Sequence, residues 1–417
     1  MNRRLVWQLA IRYLRGKKSI NAVPILSRVS MVAIAVGCAA MIIAFSVFNG
    51  LEMVVKDMYK AFYPDIRVSS VRGKFFSGEA VSLKKIAQIN GVLQVAAVLE
   101  DNALAGDLDN FSGSTNRQKV VTVKGIDNDY FKVNNVAEYI NTGVDTIVNS
   151  DNPTTLVGLH IGNELGTDVD NLFSRIMLYY PNPDVTNPEA DPLNAYQSLK
   201  LHPSGTFIVG DEFDDKYMLA PLSKVQELFH AKGMYSSIEI KTDPSAENEI
   251  RRQLQSMLGN SFKVETRYEQ NQTLYSMMAL EKWVMFVILL FVLIIASFNM
   301  VGALSMLVIE KQKDIAILRA MGAMPRDIRK IFLLEALMWS GTGGLIGLAT
   351  GCLICVAQIR FSIIKIPGAF MVDAFPVRLS IIDVGLVLAS IIVIGVAAGW
   401  YPATKAAKFN ESGLKST

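Results

Sequence analysis

Between Arg28 and Glu52 the chain carries no charged residue, and the run 29–51 is long enough to cross a hydrocarbon core of about 30 Å as a helix. Three more such runs follow: residues 283–309 between Lys282 and Glu310, residues 331–358, and residues 384–404 between Asp383 and Lys405. In lipid the backbone must satisfy its own polar groups, so runs of this length are expected to be α-helices that span. A cleavable signal peptide has an apolar region of only about 7 to 15 residues, and the first run exceeds it, which favours a retained anchor. Composition agrees with a mixed architecture, since 51% of residues are hydrophobic and 19% are charged.

The arrangement is one span, a long polar insert and three spans. Short flanking segments decide orientation, because long domains cross regardless of charge. Arg3, Arg4, Arg12, Arg15, Lys17, Lys18 and Arg28 precede the first span. Lys311, Lys313, Arg319, Arg326, Arg329 and Lys330 lie between the second and third, and Lys405, Lys408 and Lys415 follow the fourth. Both termini and the link 310–330 are therefore expected in the cytoplasm and the insert outside it. The expected order is a cytoplasmic amphipathic helix within residues 1–28, spans 29–51, 281–309, 331–358 and 384–404, an extracytoplasmic domain 52–280, an outer loop 359–383 and a cytoplasmic tail 405–417. In the first segment Leu5, Leu9 and Tyr13 recur at helical spacing against a basic face, the pattern of a helix lying on a leaflet.

Glu335 is the one acid within these runs, and one turn after Lys330 it is expected near the headgroups, solvated or paired with lysine, rather than as a proton relay. Cys38, Cys352 and Cys355 all lie in apolar runs, which excludes a disulfide framework for the insert and makes small packing residues the favoured reading of Cys352 and Cys355. The formal net charge of +3 gives no reason to expect nucleic acid as a partner.

Within the insert, β-branched runs at residues 65–71, 118–124, 175–180, 206–209, 237–241 and 262–266 read as strands, and residues 82–89, 162–165, 222–230 and 245–258 as helices. The alternation implies an α+β domain. His160, His202 and His230 are widely spaced and fall in no nucleophile or metal pattern, so neither catalysis nor a metal site is expected. Residues 180–204 read as one long loop that contains Pro181, Pro183, Pro188 and Pro192, with Tyr196 and Leu199 as candidate apolar anchors. A partner-binding loop and plain disorder are the two readings of such a stretch.

The link reads EKQKDIAILRAMGA from Glu310 to Ala323. Ile315, Leu318 and Met321 give an apolar face, Lys311, Asp314 and Arg319 a polar one, and Gly322 with Pro325 ends the helix. A basic loop that merely anchors topology is the alternative on composition alone. At the outer ends of the first two spans, Met41, Phe45 and Phe48 and then Met278, Met285 and Phe286 are candidates to line an apolar path, or else ordinary packing and lipid-facing residues.

The link, with its I-x-x-L-R-A-x-G-A centre, and the glycine-rich third span (Gly341, Gly343, Gly344, Gly347 and Gly351) resemble the FtsX-like permease superfamily. The N-terminal A-x-R-Y-L-R (Ala10 to Arg15), Asn49-Gly50-Leu51-Glu52, Asn299-Met300-Val301 and Tyr401-Pro402-Ala403 bring the resemblance nearest to lipoprotein-releasing permeases of the LolC/LolE type. Glu411 stands where those permeases have proline, and the insert matches only loosely.

The resemblance implies an inner-membrane, multi-pass permease subunit, itself non-catalytic, with a MacB-like periplasmic domain. It implies that Glu310, Lys311, Asp314, Ile315, Leu318, Arg319 and Gly322 form a coupling helix docked on a cytoplasmic, LolD-like ABC ATPase dimer. That partner would bind ATP and Mg, since no G-x-x-x-x-G-K-[ST] occurs in this chain. It further implies a second permease subunit, identical or homologous, lipoprotein cargo drawn from membrane lipid, and a periplasmic LolA-like carrier gripped by the loop 180–204. A MacB-like mechanical exporter and an FtsX-like scaffold for cell-wall hydrolases are the alternatives within the superfamily.

Overall fold

The computed structural model describes residues 23–107, 117–171, 173–183, 185, 194–365 and 374–408. The expected amphipathic helix within residues 1–28 lies almost wholly outside them, as does Glu411. The chain divides into two compact units: residues 1–54 with 276–368 and 372–417, and residues 55–275 with 369–371.

The first unit is helical. Among the described residues, four helices are long and apolar enough to cross a membrane. We label them with the short helix between them: α1 (Val23–Phe62), α2 (Gln272–Glu310), α3 (Gln312–Ala320), α4 (Pro325–Phe361) and α5 (Ile381–Ala407). All four long helices exceed the apolar runs from which they were expected. α1 continues past Leu51 because residues 53–62 still alternate apolar and charged positions at helical spacing, with Lys60 bonded to Asp57 at 2.7 Å on the outside.

Their shared core contains Cys38, Met41, Ile42 and Phe45 from α1, Leu293, Met300 and Leu304 from α2, Phe332, Ala336 and Trp339 from α4, and Ile391 and Ala398 from α5. α4 approaches its neighbours through glycine. A Cβ at Gly343, Gly347 or Gly351 would stand 2.6, 2.1 or 3.1 Å from the carbonyl oxygens of Met31, Ala35 and Ala39 on α1, so larger residues would force these backbones apart. Glu335 departs from expectation. It is fully buried, and neither carboxylate oxygen has a hydrogen-bond partner among the described residues. The reason is helical phase, since Ile328, Phe332, Glu335 and Trp339 share the stripe of α4 that faces the core.

The second unit is a mixed α/β domain. Its strands are β1 (Ile66–Ser70), β2 (Phe76–Ser77), β3 (Val92–Asp107), β4 (Gln118–Ile126), β5 (Ile140–Gly143), β6 (Thr154–Gly158), β7 (Ile176–Pro181), β8 (Tyr196–Phe207), β9 (Tyr217–Pro221), β10 (Met234–Tyr235), β11 (Ser237–Thr242) and β12 (Phe262–Thr266). Ten of them form one sheet in the order β12-β1-β11-β3-β4-β9-β6-β8-β5, with β7 pairing to β3 and β8, while β2 and β10 pair separately. The β4–β9 and β6–β8 pairs are parallel and the remaining pairs antiparallel. Helices Leu83–Ala87, Leu159–Leu165, Leu222–Leu228 and Glu247–Leu258 accompany it.

The long loop is the main correction. Residues 196–204 belong to β8, whose register against β7 runs from Tyr196 opposite Pro181 to Leu201 opposite Ile176. The stretch between the two strands is therefore residues 182–195, of which 182, 183, 185, 194 and 195 are described, and the Asn182 backbone N–H donates to the Ala195 carbonyl at 2.9 Å. Pro203 is accommodated in a strand because the β6–β8 pairing is irregular beside it, between Thr155 and Leu156.

Candidate functional site

The link helix α3 ends as its sequence predicts. Gly322 has φ +91°, its N–H donates to the Arg319 carbonyl at 2.8 Å, and the Ala323 N–H reaches back to the Leu318 carbonyl at 3.0 Å. These are the two bonds of a Schellman motif, which a residue with a Cβ would strain. Ile315 is 2% exposed and packs into the helical core, and Leu318 is half-buried. The outward apolar residues are Ile317 (59% exposed), Met321 (77%) and Met324 (66%). Only Met321 of the expected apolar face is thus presented outward. Lys311 bridges Asp314 at 3.5 Å. Arg319 donates from Nη2 to the carbonyl of Ala407, the last residue of α5, and Arg329 of α4 lies 5.2 Å from the Trp400 ring of α5. The link is therefore fastened to the end of α5, not suspended as a free loop.

At the opposite end of α1 and α2, the apolar candidates separate. Met41 and Phe45 are 0% and 1% exposed within the core, Phe48, Met278 and Phe286 are half-buried, and Met285 is 38% exposed. Phe45 and Phe286 stack with ring centroids 6.1 Å apart and border a cavity of about 330 Å³, together with Trp283 and Leu386. Ile382 and the charged Lys282 and Asp383 complete its wall.

Within the second unit, the chain's entry and exit are joined. Arg267, just after β12, donates from Nε to the Tyr63 carbonyl at 2.9 Å and from Nη2 to Asp65 at 2.7 Å, and Gln270 donates to the Pro64 carbonyl at 3.2 Å. Thr266 and Glu269 form a capping box that fixes this turn. Lys56, on the last turns of α1, lies 5.7 Å from the Tyr275 ring.

The final residue of α1, Phe62, packs among Phe207, Phe213 and Tyr217. Its carbonyl accepts from Lys124 Nζ at 3.4 Å, and Lys124 bridges Glu239 at 2.7 Å with both side chains buried. Beside them Arg67 holds Glu100 at 2.8 Å. Burial alone would raise the Glu100 carboxyl, but the Arg67 and Lys124 cations more than offset that and leave it below the usual range.

Of the loop candidates, Pro181 ends β7 and Pro183 follows it, while Pro188 and Pro192 lie outside the described residues. Tyr196 is 60% exposed, but Leu199 is half-buried and packs against the domain's core. Among the described residues no group of His, Cys, Asp and Glu is placed to hold a metal ion.

The sequence reading missed the outward position of Ile317, the Arg267–Asp65 pair, and the use made of Lys282 and Asp383, which it treated only as ends of spans. A signal existed for the last, since opposite charges flank two spans at the same expected membrane face.

Comparison with known proteins shows what this chain is similar to. The model of the FtsX-like permease C-terminal region matches residues 286–410, and that of the MacB-like periplasmic core domain matches residues 27–170. The chain is 26% identical to the lipoprotein-releasing system transmembrane protein LolE of Haemophilus influenzae, over 97% of this chain and 98% of that protein. It is 24% identical to the corresponding LolC protein of Xylella fastidiosa, over 96% of each. The crystal structure of the periplasmic region of MacB from Actinobacillus actinomycetemcomitans is 11% identical over 54% of this chain and 98% of that one, with a TM-score of 0.36. By the two family models and the end-to-end similarity to LolC and LolE proteins, together with four apolar helices around a mixed α/β insert, this chain is similar to FtsX-like permeases that carry a MacB-like periplasmic core domain.

Proposed function

We propose that this chain is the permease subunit of an inner-membrane ABC transporter. A partner ATPase hydrolyses ATP in the cytoplasm, and the permease, with a second permease subunit, releases lipoproteins from the outer leaflet to a periplasmic carrier. The observation that carries this reading is the set of exposed apolar residues on the link, Ile317 on α3 and Met321 and Met324 just after it. It occurs in a chain that aligns nearly end to end with proteins named for lipoprotein release. The basic residues of the link and N-terminal stretch support a cytoplasmic position for both.

Energetics favour an enclosed route. Each buried methylene is worth about 0.8 kcal/mol, so moving about three acyl chains of about 15 carbons into water costs on the order of 36 kcal/mol. An apolar path past Phe45 and Phe286 to an apolar carrier avoids most of that cost. Closure of the ATPase on α3 would act on α1 and α2, and the segments that follow α1 and precede α2 meet at Asp65 and Arg267. The loop 182–195, beside exposed Tyr196, is the candidate hook for the carrier. The MacB-like match favours one second reading, a mechanical exporter, which differs in needing no lipoprotein carrier.

The test is recovery of an ATPase with the tagged chain purified in mild detergent. Ile317→Asp with Met321→Asp is expected to lose the ATPase while membrane abundance stays within about twofold. Undiminished recovery with this double variant would contradict the assignment of α3. Leu318 and Gly322 are poorer probes, because one is half-buried and the other shapes the turn.

A further inference from the structure

The outer end of the helical unit holds a polar cluster that the proposed route does not explain. Asn49 of α1 donates from Nδ2 to Asp383 Oδ2 at 2.6 Å and to the Arg378 carbonyl at 3.3 Å. Lys282 of α2 donates from Nζ to Asn49 Oδ1 at 2.9 Å and lies 3.1 and 3.3 Å from the two carboxylate oxygens of Asp383, in the first turn of α5. Three helices thus meet in three side chains that satisfy one another.

The two sides of this junction are built differently. The segment before α5 is held to α1 by backbone: the Arg378 N–H donates to the Ser46 carbonyl at 2.8 Å. A Cβ on Gly50 would stand 2.3 Å from the Pro376 oxygen, which explains the Asn49-Gly50 pair noted in the sequence. Beside the apolar Phe45–Phe286 stack, the polar link of α2 to them is one long side chain. Among the described residues, no other side chain of α2 between Ser276 and Met300 hydrogen-bonds to another helix.

Burial divides the same way, with the Asp383 side chain 6% exposed and that of Lys282 32% exposed. If α2 moved away, Asp383 would keep Asn49 as a donor, and the lysine stem is long enough to carry its ammonium to the water interface. Lys282 therefore has a tolerable second state, and the Asn49 hydrogen bond reduces but does not remove the cost of leaving the Asp383 charge without its cation. The cavity bordered by Phe45, Trp283, Phe286 and Leu386 has Lys282 and Asp383 in its wall.

We propose that Asn49, Lys282 and Asp383 form a latch that sets the close position of the outer end of α2 against α1 and α5, and that its release widens the surface pocket between Phe45 and Phe286, whose rim at Trp283 and Ile382 is already exposed. The inference rests on the proposed permease reading only for what enters the widened pocket.

The test uses the full chain in inner-membrane vesicles, with Cys38, Cys352 and Cys355 replaced by alanine and Phe45→Cys and Phe286→Cys introduced as a cross-linking pair. Lys282→Met is expected to lower the rate of disulfide formation at least fivefold, and the exchange Lys282→Asp with Asp383→Lys to restore it to within twofold. Lys282→Gln, which keeps a donor for Asn49 but no charge, serves if the methionine variant does not accumulate and is expected to fall between them. Equal rates in the parent and the uncharged variants would overturn the latch, as would an exchanged variant of normal abundance that stays slow. Cross-linking needs neither ATPase nor lipoprotein, so failed lipoprotein release alongside the expected cross-linking pattern counts against the cargo and not against the latch.

Discussion

α4 and α2 belong to one helical unit but are held in it by different means. α4 meets α1 backbone to backbone at Gly343, Gly347 and Gly351, and meets α5 through Gly344 against Ile391, Gly395 against Ser340 and Gly399 against Ala336. α2 touches α1 through side-chain tips, such as Leu293 over Gly37. Its most apolar stretch is only 17% buried, against 33% for α4 and 39% for α1 and for α5. Interlocked backbones have one arrangement, whereas flexible side chains can slide or part. On the proposed latch, α1, α4 and α5 form the fixed frame and α2 the moving part.

The largest expected effect tests the frame. Gly347→Leu would drive side-chain atoms into the Ala35 carbonyl, already 2.1 Å from an ideal Cβ, and should cost more than the usual 1 to 3 kcal/mol of overpacking. Gly302→Leu on α2, with nothing within 4 Å, should be tolerated. Membrane abundance and melting temperature in detergent distinguish the two, and equal losses would erase the contrast.

The next effect concerns the second unit, where both connections to the membrane helices are tied together. Arg267→Met removes charge-assisted hydrogen bonds to Asp65 and the Tyr63 carbonyl and should destabilise the domain by about 2 kcal/mol. Hydrogen exchange at residues 63–66 and 266–270 should rise ahead of the sheet centre; uniform exchange would remove the special role of this pair.

The spans were legible because lipid demands long uncharged runs, but their ends were not. The end of a lipid-compatible run is not the end of a helix, and α1 continues through Lys56 and Lys60 to Phe62. In the insert, β3 went unread because its Glu100 and Asp101 look like surface loop residues. They are paired with Arg67, and with Lys74 and Tyr180, contacts made by distant segments. β8 was read as loop because of Pro203, Ser204 and Gly205, which the irregular pairing with β6 absorbs. For α3 the periodicity was right and the facing was not. Ile315 and Ile317 are both apolar, and only packing against the rest of the unit decides which one is buried.

A smaller effect is a pH dependence. Burial pushes the Asp214 carboxyl up from 3.8 to about 6, even though it accepts from the Val209 and Gly210 N–H groups. The folded state then holds a proton that the unfolded state releases. Its contribution is complete below about pH 4 and is lost as pH rises towards 6. Asp214→Asn should flatten the fall in melting temperature over that range, and an unchanged slope would assign it to other groups.

The most direct measurement is ATP-dependent lipoprotein release from proteoliposomes containing this chain with its ATPase and second permease, and with carrier outside. The account predicts release that requires both ATP and carrier and that falls at least tenfold in the Ile317→Asp, Met321→Asp double variant. Release that proceeds equally without ATP, or equally with that variant, would contradict it.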